Sequence, residues 1–367
     1  SGVAHSRIDS SRRRPDRFVA RCNYHAPMAQ SIIDVVELGF PWDGLDPFIM
    51  TVHHVDAYPA GNDAQGIDRA SLAGRRIGSD FSYQDGWSMY HGTEVPGFPQ
   101  HPHRGFETVT VVRRGYVDHS DSLGATARYG GGDVQWLTTG SGIQHSEMFP
   151  LIRPDADNPL ELFQIWLNLP PENKLVPAHF GMLWSEDIPT LAPAPGVSVD
   201  VIAGAIGEAR PPSPPPDSWG SDPRGELEIW LIRLDDGSSW DLPPARPGVN
   251  RMLHCFLGEA AEVGGTRIGR DAGARLRPDL PVTLSAPEGP VEFLLLGGRP
   301  IGAPVFQMGP FVMNSPEELR QAVADYQRTG FGGWPWQGPD PVHRRTDGRF
   351  AIHADGRVEH RDMQPVG

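Results

Sequence analysis

The hydrophobic residues of this chain fall in short stretches separated by turn-forming residues. Over Ile32–Val52, pairs and triplets of Ile, Val, Phe and Met are interrupted by Gly and Pro. Over Leu160–Leu169, alternation places Phe163, Ile165 and Leu167 on one face, as in a β-strand. A β-branched run at Thr108–Val112 has the same character. The pattern predicts sheet over most of the chain.

After a proline-rich stretch, RPPSPPP, at 210–216, a second block again shows short hydrophobic stretches separated by turn-forming residues. We place a domain boundary there. The expected divisions are a flexible N-terminal extension at 1–30, two domains at 31–210 and 211–332, and a tail at 333–367. The strands predicted in the second block are Leu227–Leu234, Arg251–Leu257, Thr266–Leu276 and Val291–Leu296.

One helix is predicted near the C-terminus. Residues Ser315–Glu318 have the form of a capping box with proline at the first helical position. Leu319, Val323 and Tyr326 follow at helical spacing, and Gly330 ends the helix. The expected fold class is therefore all-β, with two β-barrels or sandwiches and one short C-terminal helix.

Composition and charge narrow the class of protein. The 367 residues include 43 Gly and 38 Pro, and the 46 acidic against 32 basic residues give a net charge of −14. This charge disfavours direct binding of nucleic acid or of an anionic membrane, and no apolar run approaches the ~20 residues of a membrane span. The basic run Arg12–Arg14 is expected to be a solvated tail. Cys22 and Cys255 have no metal or redox spacing, so we expect free thiols in a cytoplasmic protein. We also expect a monomer.

Two pairs of possible metal ligands carry the candidate chemistry. On an extended chain residues two apart share a face, so His101 pairs with His103, and His145 pairs with Glu147. Two such pairs on neighbouring strands could converge inside a barrel. Three imidazoles and one carboxylate suit a first-row divalent metal and leave positions open for reactants. One His-x-His pair alone would more often be a surface feature; the second pair favours a metal site.

Glu107 is an alternative to Glu147 as the fourth ligand. It lies four residues after His103 and would share its face on a straight strand. From spacing, Glu147 is the preferred ligand, and Glu107 is assigned a hydrogen-bonding role near the site.

The segments HPHRGFETVT, GDVQWLTTGSGIQHSEM, FQIWLNLPPENK and GGRPIGAPVFQMGPFVMN resemble the pirin family of bicupins. The resemblance runs from about Gly39 to Gly332, excluding the segment near 62–86. It implies two cupin barrels, with one iron in the N-terminal barrel bound by His101, His103, His145 and Glu147. It thereby decides for Glu147 over Glu107 as the ligand.

Three segments depart from the family pattern. The N-terminal extension and the segment 62–90 are longer than usual; the latter is expected to be a surface loop that could narrow the mouth of the site. The tail could wrap back on a barrel, and its histidines, His343 and His353, are expected to be surface groups rather than ligands. In the second barrel His254 stands alone beside Cys255, which indicates a metal-free scaffold.

The resemblance implies two alternative functions. Some pirins resemble flavonol dioxygenases, so the first is opening of a flavonol such as quercetin by O₂, with Glu147 or else Glu107 as the general base. The second is a non-enzymatic, iron-dependent redox regulator that acts through a protein partner. Fe(II) is the expected cofactor, although the same ligands accept Mn, Co, Ni, Cu or Zn. The expected pocket walls, which core packing explains equally well, are Phe106, Trp136, Met148 and Phe163.

Overall fold

The structure is a computed structural model that describes residues 30–363. The predicted extension at 1–30, except Gln30, lies outside the described residues, as do Arg12–Arg14 and Cys22. The strands of the first half are β1 Ile32–Glu37, β2 Trp42–Asp43, β3 Phe48–Tyr58, β4 Gly97–His103, β5 Phe106–Arg114, β6 Tyr116–Asp121, β7 Thr126–Gly130, β8 Val134–Thr138, β9 Ile143–Met148, β10 Asn158–Asn168, β11 His179–Leu183, β12 Thr190–Ala194 and β13 Val197–Ala203.

The second half continues with shorter strands and the single α-helix of the described residues. These elements are β14 Glu228–Leu234, β15 Ser239–Leu242, β16 Asn250–Leu257, β17 Ala261–Val263, β18 Thr266–Ile268, β19 Ala272–Leu276, β20 Val282–Ser285, β21 Val291–Gly298, β22 Phe306–Met308, β23 Phe311–Met313, α1 Pro316–Thr329, β24 Arg349–Ile352 and β25 Val358–Arg361. Single 3-10 turns lie at Arg69–Leu72, Gln84–Gly86, Pro171–Asn173 and Gly330–Gly332. The prediction of an all-β fold with one short helix is confirmed.

Two six-stranded sheets form the first barrel. Their strand orders are β11-β8-β5-β10-β3-β2 and β25-β24-β7-β6-β9-β4, with antiparallel neighbours. The apolar core between the two sheets includes Tyr58, Tyr129, Leu162 and Trp184. Around Thr110 and Gln164 the inward-facing side chains are polar instead, and this part of the barrel holds the candidate site.

The second barrel consists of a seven-stranded sheet, β1-β19-β16-β21-β14-β13-β12, and a four-stranded sheet, β15-β20-β17-β18. Strands β1 and β13 precede the proposed boundary at 210, yet they pair with β19 and β14 of the second half, and β12 joins the same sheet through β13. Backbone hydrogen bonds between strands thus join residues on both sides of position 210. The domain boundary at that position stays a prediction. Between the barrels lies a shared apolar core that includes Trp136, Phe163, Ile229, Phe256 and Leu294.

The helix has the ends that its sequence predicts. The Ser315 hydroxyl accepts a hydrogen bond from the Glu318 amide at 3.2 Å, and the Glu318 carboxylate accepts one from the Asn314 amide at 2.8 Å. Gly330 ends the helix with φ of 53°, in the left-handed region that glycine tolerates. Among residues 30–363 no helix has the length and apolar character that crossing a bilayer requires.

The segment 62–90 is a loop with two 3-10 turns, as its composition suggests, but buried side chains anchor it to the first barrel. The Arg75 guanidinium lies 3.2 Å from the centre of the Trp87 ring and forms an ion pair with Asp80 at 2.9 Å. Ile67 and Met89 are buried in the core of the first barrel. A few large side chains thus anchor to the barrel a loop that is otherwise rich in Gly, Asp and Ser.

The tail wraps onto the first barrel, where β24 pairs with β7. The Arg349 guanidinium is buried, forms an ion pair with the equally buried Asp133 at 2.7 Å, and also pairs with Glu186. His353, expected at the surface, is buried at 7% exposure and contacts the Glu359 carboxylate at 2.7 Å. The prediction failed because strand pairing of the tail cannot be read from its polar composition.

We expect Arg349→Met to lower the free energy of unfolding by about 3 kcal/mol, because it leaves the Asp133 carboxylate buried without its cation. Urea denaturation measures the loss. Arg267→Met is the control, since Arg267 pairs with Glu288 on the surface, where both side chains are 58% exposed, and it should leave stability nearly unchanged. Equal losses in the two proteins would contradict the assignment.

Candidate metal centre

Three histidines meet where β4 pairs with β9. In this antiparallel pair His101 lies directly opposite His145, and His103 lies opposite Ile143. One ring nitrogen from each of the three histidines lies within 4.8 Å of the others. The structure therefore brings together the three histidines that the sequence predicts. Among residues 30–363 these three histidines form the one cluster of three or more potential metal ligands.

Backbone carbonyls orient two of the rings. The Nδ1 atom of His101 lies 2.8 Å from the Pro99 carbonyl oxygen, and that of His103 lies 3.4 Å from the Pro310 carbonyl oxygen. A carbonyl only accepts, so in each ring Nδ1 carries the proton and Nε2 presents a lone pair. Metal-bound histidines commonly have such a partner on the second nitrogen.

The buried ring nitrogens fit a metal ion. Nε2 of His103 and both ring nitrogens of His145 have no hydrogen-bond partner among the described residues. His103 is 4% exposed and His145 is fully buried. Buried polar atoms without partners are costly, and an ion bound at this point would satisfy Nε2 of His103 and one ring nitrogen of His145.

Burial also keeps the histidines neutral, which is the form that binds metal. Desolvation lowers the pKa of His101 to about 4. Desolvation, reinforced by the neighbouring histidines, holds the pKa values of His103 and His145 well below the usual range. Near neutral pH protons therefore do not compete for the lone pairs of these rings.

Glu147 adds a carboxylate to the cluster. One of its oxygens lies 3.6 Å from Nε2 of His145. The same oxygen accepts a hydrogen bond from the Gln164 amide at 2.7 Å, and the other accepts one from the Thr110 hydroxyl at 3.3 Å. Burial raises the pKa of Glu147. The carboxylate is thus fixed beside the histidines in surroundings that favour binding of either a proton or a cation.

Glu107 does not join this cluster. Its carboxylate accepts hydrogen bonds from Trp136 Nε1 at 3.1 Å, from the Thr138 hydroxyl at 2.7 Å and from the Ser218 hydroxyl at 2.6 Å. Simple alternation from His103 fails because β4 ends at His103 and β5 starts only at Phe106, with Gly105 between them at φ of 87°. Glu107 consequently lies beside the core shared by the two barrels.

A fourth histidine near the cluster, the buried His119 on β6, was not predicted from the sequence. Its ring centre lies 5.5 Å from that of His145, and its nitrogens contact the Asp121 carboxylate at 3.0 Å and the Gln135 amide at 3.1 Å. The signal was a histidine between acidic residues on a short strand, in the sequence VDHSD. Only the pairing of β6 with β9, which sets His119 opposite Glu147, relates it to the site.

Aromatic rings border the cluster on one side. The ring centres of Phe106 and Trp166 lie 5.1 and 5.5 Å from that of His103. Of the other expected walls, Trp136 and Phe163 belong to the core between the barrels, and Met148 is buried. Phe106 is therefore the expected wall residue that lies against a histidine of the cluster.

The long segment before the motif approaches the site indirectly. Tyr90 stacks on Phe98 with ring centres 5.2 Å apart, and Phe98 lies 6.3 Å from His101. Narrowing of the mouth by this segment stays a prediction. In the second barrel His254 is buried and stacks on Trp42 at 5.0 Å, outside the metal cluster.

Comparison with known proteins agrees with the fold. The Pirin family model matches residues 65–167, and the Pirin C-terminal cupin domain model matches residues 229–332. A Pseudomonas aeruginosa protein provisionally named quercetin 2,3-dioxygenase is 38% identical over 236 residues, which cover 64% of this chain and 79% of that protein. Homo sapiens pirin is 33% identical over 255 residues, which cover 66% of this chain and 80% of pirin.

A solved structure extends the similarity. The crystal structure of a quercetin 2,3-dioxygenase from Acinetobacter baumannii superposes with a TM-score of 0.63 at 27% identity, covering 83% of this chain and 98% of that one. The two cupin barrels predicted from the sequence are thus confirmed. With both family models matched in order along the chain, this protein belongs to the pirin family of the cupin superfamily.

Proposed function

We propose that the chain is an Fe(II)-dependent dioxygenase that opens a flavonol such as quercetin with O₂. The observation that carries the proposal is the buried cluster of three neutral histidines with Glu147 beside it. The dioxygenase names of the Pseudomonas aeruginosa relative and the Acinetobacter baumannii structure support the reaction class. His101, His103, His145 and Glu147 would hold the metal, which supplies Lewis acidity and the one-electron chemistry that O₂ requires.

Glu147 is the group proposed to take the proton of the flavonol 3-hydroxyl. Burial raises its pKa, so the carboxylate holds a proton more readily than an exposed glutamate would. Gln164 and Thr110 donate to its two oxygens and fix its direction. Phe106 and Trp166 stack with ring centres 4.1 Å apart and exclude water beside His103.

We expect His145→Ala to bind iron at least ten times more weakly and to lose quercetin-dependent O₂ uptake, because the variant removes a ligand at the centre of the cluster. Glu147→Gln should slow turnover by about 10²–10⁴-fold, the range for loss of a general base. Elemental analysis, an oxygen electrode and detection of CO as a product test this. If His145→Ala protein consumes flavonol as fast as wild type does, the proposed enzyme activity is refuted. Loading the wild-type protein with Mn, Co, Ni, Cu or Zn in place of Fe would identify the metal that supports turnover.

Glu107→Gln is the matched control, since Glu107 is equally buried but lies outside the cluster. The variant should retain metal binding and O₂ uptake. Burial raises the pKa of Glu107 to about 7, from 4.5, so between these values the folded protein keeps a proton that the unfolded chain releases. Wild-type stability should therefore fall as pH rises through this window and level off above it.

The stability of Glu107→Gln protein relative to wild type should accordingly increase between about pH 4.5 and pH 7, by on the order of 3 kcal/mol. Urea denaturation at several pH values measures the difference. A difference that does not change with pH would contradict the raised pKa, and loss of O₂ uptake would return Glu107 to the list of catalytic candidates.

One observation favours the non-enzymatic alternative. His103, His145 and Glu147 are each at most 4% exposed, which suits an ion that changes oxidation state without binding a large substrate. In that case the protein would bind a protein partner with an affinity that depends on Fe(II) or Fe(III). Titration of a co-purified partner under anaerobic and oxidising conditions tests this; equal affinities would exclude it.

A further inference from the structure

Lys174 is the only lysine of the chain, and it is buried, with 2% exposure. Its ammonium donates to the Gly105 carbonyl at 2.6 Å, to the Asn168 side-chain oxygen at 2.6 Å and to the Val312 carbonyl at 3.1 Å. The ammonium has three protons, so all of them have an acceptor. A neutral side chain of the same length would leave at least one of these oxygens without a donor.

The three acceptors come from three separate parts of the fold. Gly105 lies two residues after His103, Asn168 ends β10, and Val312 lies in the C-terminal hairpin of β22 and β23. Gly105 and Val312 are pressed together: a Cβ atom on Gly105 would lie 2.1 Å from the Val312 carbonyl oxygen. One cation thus draws together two carbonyl dipoles that would otherwise repel each other.

The hairpin held in this way reaches a candidate ligand. The Val312 amide donates to the Arg104 carbonyl at 3.0 Å, and the Arg104 amide donates to the Pro310 carbonyl at 3.4 Å. The Pro310 carbonyl is also the oxygen that faces Nδ1 of His103. A path of direct bonds therefore leads from Lys174 through the hairpin to the proton of His103.

We propose that Lys174 is a positioning residue for the metal centre. It fixes the hairpin so that the Pro310 carbonyl holds His103 with its proton on Nδ1 and its lone pair on Nε2. This inference rests on the proposed metal site, although its effect on His103 exists without any metal. Burial disfavours the charged form and lowers the pKa of Lys174 to about 7, so the three hydrogen bonds to its acceptors, and not its charge alone, hold the hairpin in place.

The test compares Lys174→Met with Arg251→Met. Arg251 is a buried cation of the second barrel that likewise donates to a backbone carbonyl, that of Pro243 at 2.7 Å, and it pairs with Glu228. Zn²⁺ affinity is measured by competition with a chelator, and stability by urea denaturation. We expect Lys174→Met to bind Zn²⁺ about 10–100-fold more weakly, the range for partners that orient metal ligands, and Arg251→Met to bind it as wild type does.

Nitrogen-15 NMR of histidine in the metal-free proteins is the second readout, with the His103 signals assigned from His103→Gln protein. Wild type should have the proton on Nδ1, and Lys174→Met should shift population to Nε2. An unchanged His103 form, or equal Zn²⁺ affinities in wild type and Lys174→Met, would overturn the proposal. If Lys174→Met does not fold, Lys174→Gln takes its place. If wild type binds no Zn²⁺, the metal site fails, and the NMR result alone decides on Lys174.

Discussion

The strand that carries His101 and His103 lies at the edge of its sheet. In the order β25-β24-β7-β6-β9-β4, strand β4 has one strand neighbour, β9. An edge strand leaves backbone groups unpaired and is free to fray or to pair with another chain. Three histidine rings whose nitrogens lie within a few ångströms of one another cannot keep that arrangement if the strand moves, so the rest of the site depends on how this edge is held.

Two later segments of the chain hold it. The hairpin of β22 and β23 binds the Arg104 backbone just beyond one end of β4, and midway along the strand the Gln100 amide donates to the Pro339 carbonyl at 2.7 Å. Gln144, next to His145, donates to the Gly330 and Gly333 carbonyls after the helix. The residues that follow the second barrel thus complete the edge of the first, although they contribute no ligand to the histidine cluster.

The parts predicted from sequence are those that depend on local pattern. Alternation located the strands, the Ser315 capping box located the helix, and two-residue spacing located the histidine pairs, because each is set by neighbours in the chain. The prediction for the tail histidine His353 was wrong, and His119 was missed. Both depend on pairing between distant strands, and the spacing of a single chain contains no information on that pairing.

Glu107 illustrates the limit of periodicity most clearly. The rule of alternation requires a continuous strand, and Gly105, which tolerates its positive φ, interrupts that strand between His103 and Glu107. The same glycine admits the Val312 carbonyl at a distance that a side chain would forbid. One small residue therefore turns Glu107 away from the histidines and lets the C-terminal hairpin approach them. The backbone conformation at Gly105 therefore contributes both to the packing of the hairpin against the end of β4 and to the separation of Glu107 from Glu147.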